Sequence, residues 1–183
     1  MENPKLTQLI ETNERVLFAD RIKKFRANCF YKQERIIVIT TCKLYNIKKT
    51  KVQRQILIKD LAGISKALLG TKAEFTVHVK NNYDYRYLSE KRSEILGILK
   101  YRYADYMNEN LPIYGIQSER TNLFHTLEKD FKRGISKFPP KHFRIECENV
   151  IVGSRPSVAS TRVSDTSSDA QLDLQQNVEF RQK

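Results

Sequence analysis

Four consecutive β-branched aliphatics, Ile36-Ile37-Val38-Ile39, stand between Arg35 and Thr40. Such side chains lose rotamer freedom in a helix and pack well on a pleated surface, so the run predicts a strand, the strongest in the chain. The stretch around it, Arg21 to Lys59, reads as three or four short strands folded back on one another. It carries twelve Lys/Arg (Arg21, Lys23, Lys24, Arg26, Lys32, Arg35, Lys43, Lys48, Lys49, Lys51, Arg54, Lys59) against one acid, Glu34, a surplus of eleven in a chain whose net charge is +12. The basicity therefore belongs to one sheet region, and it implies an acidic partner.

Leu6, Leu9 and Ile10 have helical spacing and suggest one or two turns at the start of the chain. Val16-Leu17-Phe18 precede a charged strand from Ile22 to Phe30, followed by strands at 35–40, at Leu44-Tyr45-Ile47 and, past the basic turn at 48–51, from Val52 to Ile58. In LAGISKALLG, Gly63 and Gly70 supply positive φ cheaply. Phe75, Val77 and Val79 alternate with Thr76 and His78, so His78 is expected on the opposite face, solvated or hydrogen-bonded. After an Asn81-Asn82 turn, Tyr83, Tyr85 and Tyr87 alternate with charged residues in a last short strand. The period then becomes helical: Ser89 is a candidate N-cap, and Ile95, Leu96, Leu99, Tyr103 and Tyr106 form a stripe to Met107.

The expected fold is mainly β with α: a seven-stranded antiparallel barrel or sandwich capped by a C-terminal helix. Beyond it, Ser118 to Gly134 is predicted as a second helix with Leu123, Phe124, Leu127 and Phe131 on one face, and Phe143–Cys147 as an added strand. Residues 153–183, with four acids and four bases and Phe180 as the one aromatic, read as an extended polar tail that cannot bury enough apolar surface to order alone. The expected division is 1–13 extension, 14–110 domain, 111–152 helix and strand, and 153–183 tail.

No stretch approaches the roughly 18 apolar residues of a membrane span, and the first residues lack the basic-then-apolar order of a secretion signal. Cys29, Cys42 and Cys147 have no C-x-x-C spacing and read as reduced thiols of a cytosolic protein. Zinc is not expected, since His78, His125 and His142 do not pair with them. No cofactor is implied. The chain contains no G-x-S-x-G, H-E-x-x-H or glycine-rich phosphate loop. Glu119, Glu128 and Asp130 read as the solvent face of a helix, and Cys147 as an inert thiol.

The segment from about Glu14 to Asn110 resembles a pleckstrin-homology-like domain and, within that group, the tail homology 1 domain of class I myosins. The likeness is carried by Arg35–Thr40, Leu44-Tyr45-Asn46-Ile47, Arg54–Ile58 with Leu61–Ser65, and Phe75–Val79 followed by Tyr83-Asp84-Tyr85-Arg86. It covers roughly half the chain, and no motor accompanies it. The resemblance implies phosphoinositide binding through a Lys on the first strand and a basic-x-basic pair before the second. By position Lys24 matches the first and Arg35 the last; the middle falls on Gln33, with Lys32 one residue away and Glu34 beside it. Lys23, Lys48, Lys49 and Lys51 complete the expected polyanion-binding set.

The expected function is a non-enzymatic adaptor that docks its basic barrel on acidic phospholipid or on an acidic filament, actin or tubulin. The alternative is a structural subunit of a ciliary or axonemal microtubule, with a protein partner for the 153–183 tail. Nucleic acid is disfavoured, since no RNA-recognition signature is present and the aromatics are spaced for a core.

Overall fold

The computed structural model describes residues 9–25, 31–70 and 73–137. Eight strands form one sheet: β1 (Val16–Phe25), β2 (Lys32–Thr40), β3 (Lys43–Lys48), β4 (Lys51–Leu57), β5 (Leu61–Ala67), β6 (Glu74–Val79), β7 (Tyr85–Leu88) and β8 (Ile113–Ile116). Their order is β4-β3-β2-β1-β7-β6-β5-β8, so the sheet is open, with β4 and β8 at its edges. The first seven strands are the antiparallel run that the sequence predicts, and β8 adds itself parallel to β5, Ile64 opposite Ile113. The helix α1 (Arg92–Met107) follows β7.

One core explains the arrangement. Phe18 and Ile22 of β1, Ile37 and Ile39 of β2, Leu44 of β3, Ile56 of β4, Phe75 and Val77 of β6, and Tyr85 and Tyr87 of β7 meet Ile95, Leu96, Leu99 and Tyr103 of α1 in a single cluster. Strands from both ends of the sheet share it, so the sheet folds around the helix as the two layers of a sandwich. Two arginines tie α1 down: Arg92 Nη1 donates to the Ala67 carbonyl at 2.8 Å, and Arg102 Nη2 to the Thr41 carbonyl at 2.8 Å. The helix starts three residues after Ser89, whose Oγ accepts the Lys91 N–H at 3.2 Å, and Tyr106 is exposed, so the buried stripe ends at Tyr103 and Ala104.

A smaller cluster lies on the other face of the sheet, where Leu9 and Ile10 pack on Val38, Tyr45 and Ile47. Leu9 and Ile10 sit in a turn; the rest of the expected N-terminal helix lies outside the described residues. Lys43 is ion-paired there with Glu11 and, at 3.1 Å, with Glu14, which raises its proton affinity and removes it from the free basic surface.

Sequence alternation misplaces the outer side of β5 to β7. His78 is fully buried, as are Thr76 and Arg86, because the chain after α1 folds over that face. Arg86 donates to both Glu74 carboxylate oxygens, at 2.8 and 2.9 Å, and the Thr121 N–H and Oγ1 reach Glu74 Oε1. Thr76 and Thr121 hydroxyls meet at 2.8 Å. These bonds hold residues 118–127 extended or in a 3-10 turn at Asn122–Phe124, and the predicted second helix shrinks to α2 (Glu128–Lys132), with Gly134 past its end at φ +73°. Tertiary hydrogen bonds thus override the apolar periodicity. The strand expected at 143–147 and the tail from 153 lie outside the described residues.

Removing one partner of a buried ion pair strands the other, which costs about 3–5 kcal/mol. Glu74→Ala should lower the unfolding free energy by that order in urea titration; a loss within experimental error would show that the layer is not structural. Burial pushes His125 down from 6.5 to about 4. The unfolded state therefore binds more protons between those values, so stability should fall by about 3 kcal/mol as pH drops from 6.5 to 4. His125→Asn should flatten that slope; an unchanged slope would contradict the assignment.

Candidate functional site

Register decides which cations share a face. On β1 and β2, Ile22 lies opposite Arg35 and Lys24 opposite Gln33, so Lys24 and Arg35 stand on the core-facing side, at the end where the two strands run on to Phe25 and Lys32. On β3 and β4, Asn46 lies opposite Arg54 on the side of Leu44 and Ile56. Beyond the apolar core the inner face thus ends in a mouth bearing Lys24, Arg35 and Arg54, floored by Tyr85 and Tyr87. The Asn46 amide donates to the Tyr87 hydroxyl at 3.1 Å. Lys24 Nζ lies 4.8 Å from the centre of the Tyr85 ring, a cation–π distance.

Lys24 feels the repulsion of the other two cations. Burial first, then Arg35 and Arg54, push the Lys24 ammonium down from 10.5 to about 8. Arg35 is lowered by burial, and its guanidinium is oriented by Gln33 Oε1 and by the Glu34 carbonyl at 2.7 Å. Arg54 Nε donates to the Tyr83 hydroxyl at 2.7 Å, which raises its proton affinity. A desolvated ammonium beside two guanidiniums on one face suits a polyanion.

The acid closest in effect comes from α2. The Asp84 N–H donates to the Thr126 carbonyl at 3.0 Å and the Thr126 N–H to the Asp84 carboxylate at 2.8 Å. Glu128, two residues on, is thereby brought within electrostatic reach of Arg54 and Lys24. Its charge raises the proton affinity of Lys24 and Arg54, while it pairs with Lys132 at 3.0 Å.

The remaining sequence-predicted residues stand around this mouth. Lys32 is exposed near the Phe25 ring at 5.8 Å; Lys48, Lys49 and Lys51 are exposed at the β3–β4 hairpin; Lys23 points to the outer face. Glu34 is opposite Lys23 on that outer face, away from Lys24 and Arg35. Gln33, at the middle position, orients Arg35. Arg54 is the residue that sequence reasoning passed over, although its period-two spacing from Ile56 puts it on the core side.

A second polar constellation lies behind the sheet. Ser65 Oγ is 2.6 Å from His78 Nε2, and His78 Nδ1 is 3.0 Å from Asp84 Oδ2. The order is that of a hydrolase triad, but Ser65 and His78 have no exposed surface, and the chain of bonds ties β5, β6 and the β7 approach together. Among the described residues no His, Cys, Asp and Glu group could hold a metal ion, and no helix is long and apolar enough to cross a membrane.

Seven antiparallel strands folded as a sandwich around the helix that follows them make a pleckstrin-homology-like fold. Residues 1–122 match the family described as unconventional myosin tail, actin- and lipid-binding, and the chain belongs to it. No curated protein matches the chain. Among solved structures, the hSac2 domain of the human phosphoinositide phosphatase Sac2 superposes with a TM-score of 0.49 at 13% identity, over 63% of this chain and 85% of that one. The PH domain of human oxysterol binding protein-related protein 11 gives 0.43 at 14%, over 50% and 82%. The linker-DH/PH domains of p115-RhoGEF give 0.43 at 11%, over 57% and 34%.

Because Glu128 raises and Arg54 lowers the Lys24 pKa, Glu128→Gln should move it below about 8 and Arg54→Gln should move it back toward 10.5. Side-chain NMR titration of Lys24 reads both; identical titration in all three proteins would separate these residues from the mouth.

Proposed function

We propose that the chain is a non-catalytic docking module whose mouth grips the phosphates of a phosphoinositide headgroup, placing it at the membrane periphery and the underlying cytoskeleton. Lys24, Arg35 and Arg54 hold the headgroup; Lys23, Lys32, Lys48, Lys49 and Lys51 add attraction to an anionic leaflet, about 1 kcal/mol each near the surface. The observation that carries the reading is a largely buried Lys24 repelled by Arg35 and Arg54 on the same face, a repulsion relieved when an anion binds. The description of the family as lipid-binding supports it.

Charge-assisted hydrogen bonds are worth about 1.5–3 kcal/mol, so Lys24→Ala, Arg35→Ala and Arg54→Ala should each weaken flotation with phosphatidylinositol-bisphosphate vesicles about ten-fold or more. Flotation unchanged in all three would refute the reading. The family description also names actin; co-sedimentation with filaments that survives these substitutions would assign filament docking to the outer lysines. Since Lys24 loses its proton near pH 8, headgroup affinity should decline as pH rises from 7 to 9.5, and Lys24→Arg should abolish that decline.

A further inference from the structure

A cleft opens beside the mouth. The β1–β2 ladder extends to Phe25 opposite Lys32, and the β3–β4 ladder to Lys48 opposite Lys51, but the β2–β3 ladder between them stops at Ile36 opposite Ile47. The two hairpins therefore part before their tips. The gap is an open cleft of about 440 Å³, with the partly exposed Ile36 on its wall, the buried Ile47 behind it, and Arg21, Lys48 and Lys49 around it. Arg21 is opposite Ile36 across β1–β2, on the face away from Lys24. Arg35 and Gln33 border the cleft as well, so it adjoins the mouth through β2.

Lys49 is held at φ +55°, whereas the other non-glycine residues at positive φ are Asn81 and Asn108. Asparagine tolerates that region, and an ordinary side chain is strained in it. A lysine at this turn sacrifices backbone ease for a cation at the cleft.

We propose that this cleft takes a second anionic phospholipid, its phosphodiester between Arg21 and Lys49 and its glycerol ester root against Ile36. The combination of apolar wall and cationic rim fits an amphiphile better than a free polyphosphate, and a headgroup seated in the adjoining mouth brings the leaflet to these same hairpin tips. The inference rests on the membrane-docking reading. Glu34 also borders the cleft and opposes the ligand, so its neutralisation should strengthen binding.

The test uses the full chain and monomeric dihexanoyl-phosphatidylserine, with methyl NMR as the readout. The Ile36 and Ile47 methyls should shift on titration. Arg21→Ala/Lys49→Ala should weaken that response about ten-fold, Glu34→Gln should strengthen it, and Lys24→Ala/Arg54→Ala should leave it in place. Lys49→Gly should weaken the response while raising thermal stability, which separates lost binding from lost folding. Methyls that do not move, or that move equally after Arg21→Ala/Lys49→Ala, overturn the cleft site. If Lys24→Ala/Arg54→Ala abolishes bisphosphate binding while the Ile36 and Ile47 methyls stay silent, the mouth stands and the cleft falls. If bisphosphate flotation survives that double substitution, the mouth itself falls.

Discussion

The alternation of β1 and β2, set against a core of finite extent, determines where charge is forced inward. Residues of β1 and β2 that face the core are apolar at Phe18, Ile22, Ile37 and Ile39, where α1 covers them. The same alternation continues past the core and puts Lys24 and Arg35 on the same side. Arg54 reaches that side through Asn46 on β3. The mouth is thus a consequence of hairpins longer than the core they enclose. A one-residue slip would turn Lys24 and Arg35 to solvent and Glu34 inward.

The rest of the molecule keeps that mouth in shape. On the far side of the sheet, Glu74 engages Arg86 and Thr121, and Asp84 engages His78 and Thr126. This layer anchors the segment after α1, and so sets where Glu128 stands relative to Lys24 and Arg54. At the other end Glu11 and Glu14 neutralise Lys43. The basic surplus is accordingly not uniform: Lys43 is consumed by an anchor, while Lys24, Arg35 and Arg54 face one another.

Local pattern made the seven strands and α1 readable. The β-branched run at 36–39, the alternation of 75–79 and the stripe from Ile95 to Tyr103 each depend on near neighbours. The family likeness pointed to Lys24 and Arg35, and the register puts both on the inner face. What was hidden depends on pairs distant in sequence. Thr121 with Glu74 and Thr126 with Asp84 cancel the helix that 118–134 would otherwise form, and bury His78. Glu34, adjacent to Arg35 in sequence, stands on the opposite face from it because neighbours on a strand face opposite ways. Strand β8 could not be seen, since its four residues at 113–116 are held by a parallel partner, β5, some fifty residues earlier.

Lys24, Arg35 and Arg54 are proposed to act as one anion-binding mouth at one end of the sheet. Amide NMR mapping with soluble inositol trisphosphate distinguishes a single mouth from diffuse attraction. A single mouth gives saturable shifts concentrated at Lys24, Arg35, Arg54 and Tyr83. Shifts spread evenly over the exposed lysines, without saturation, would contradict it.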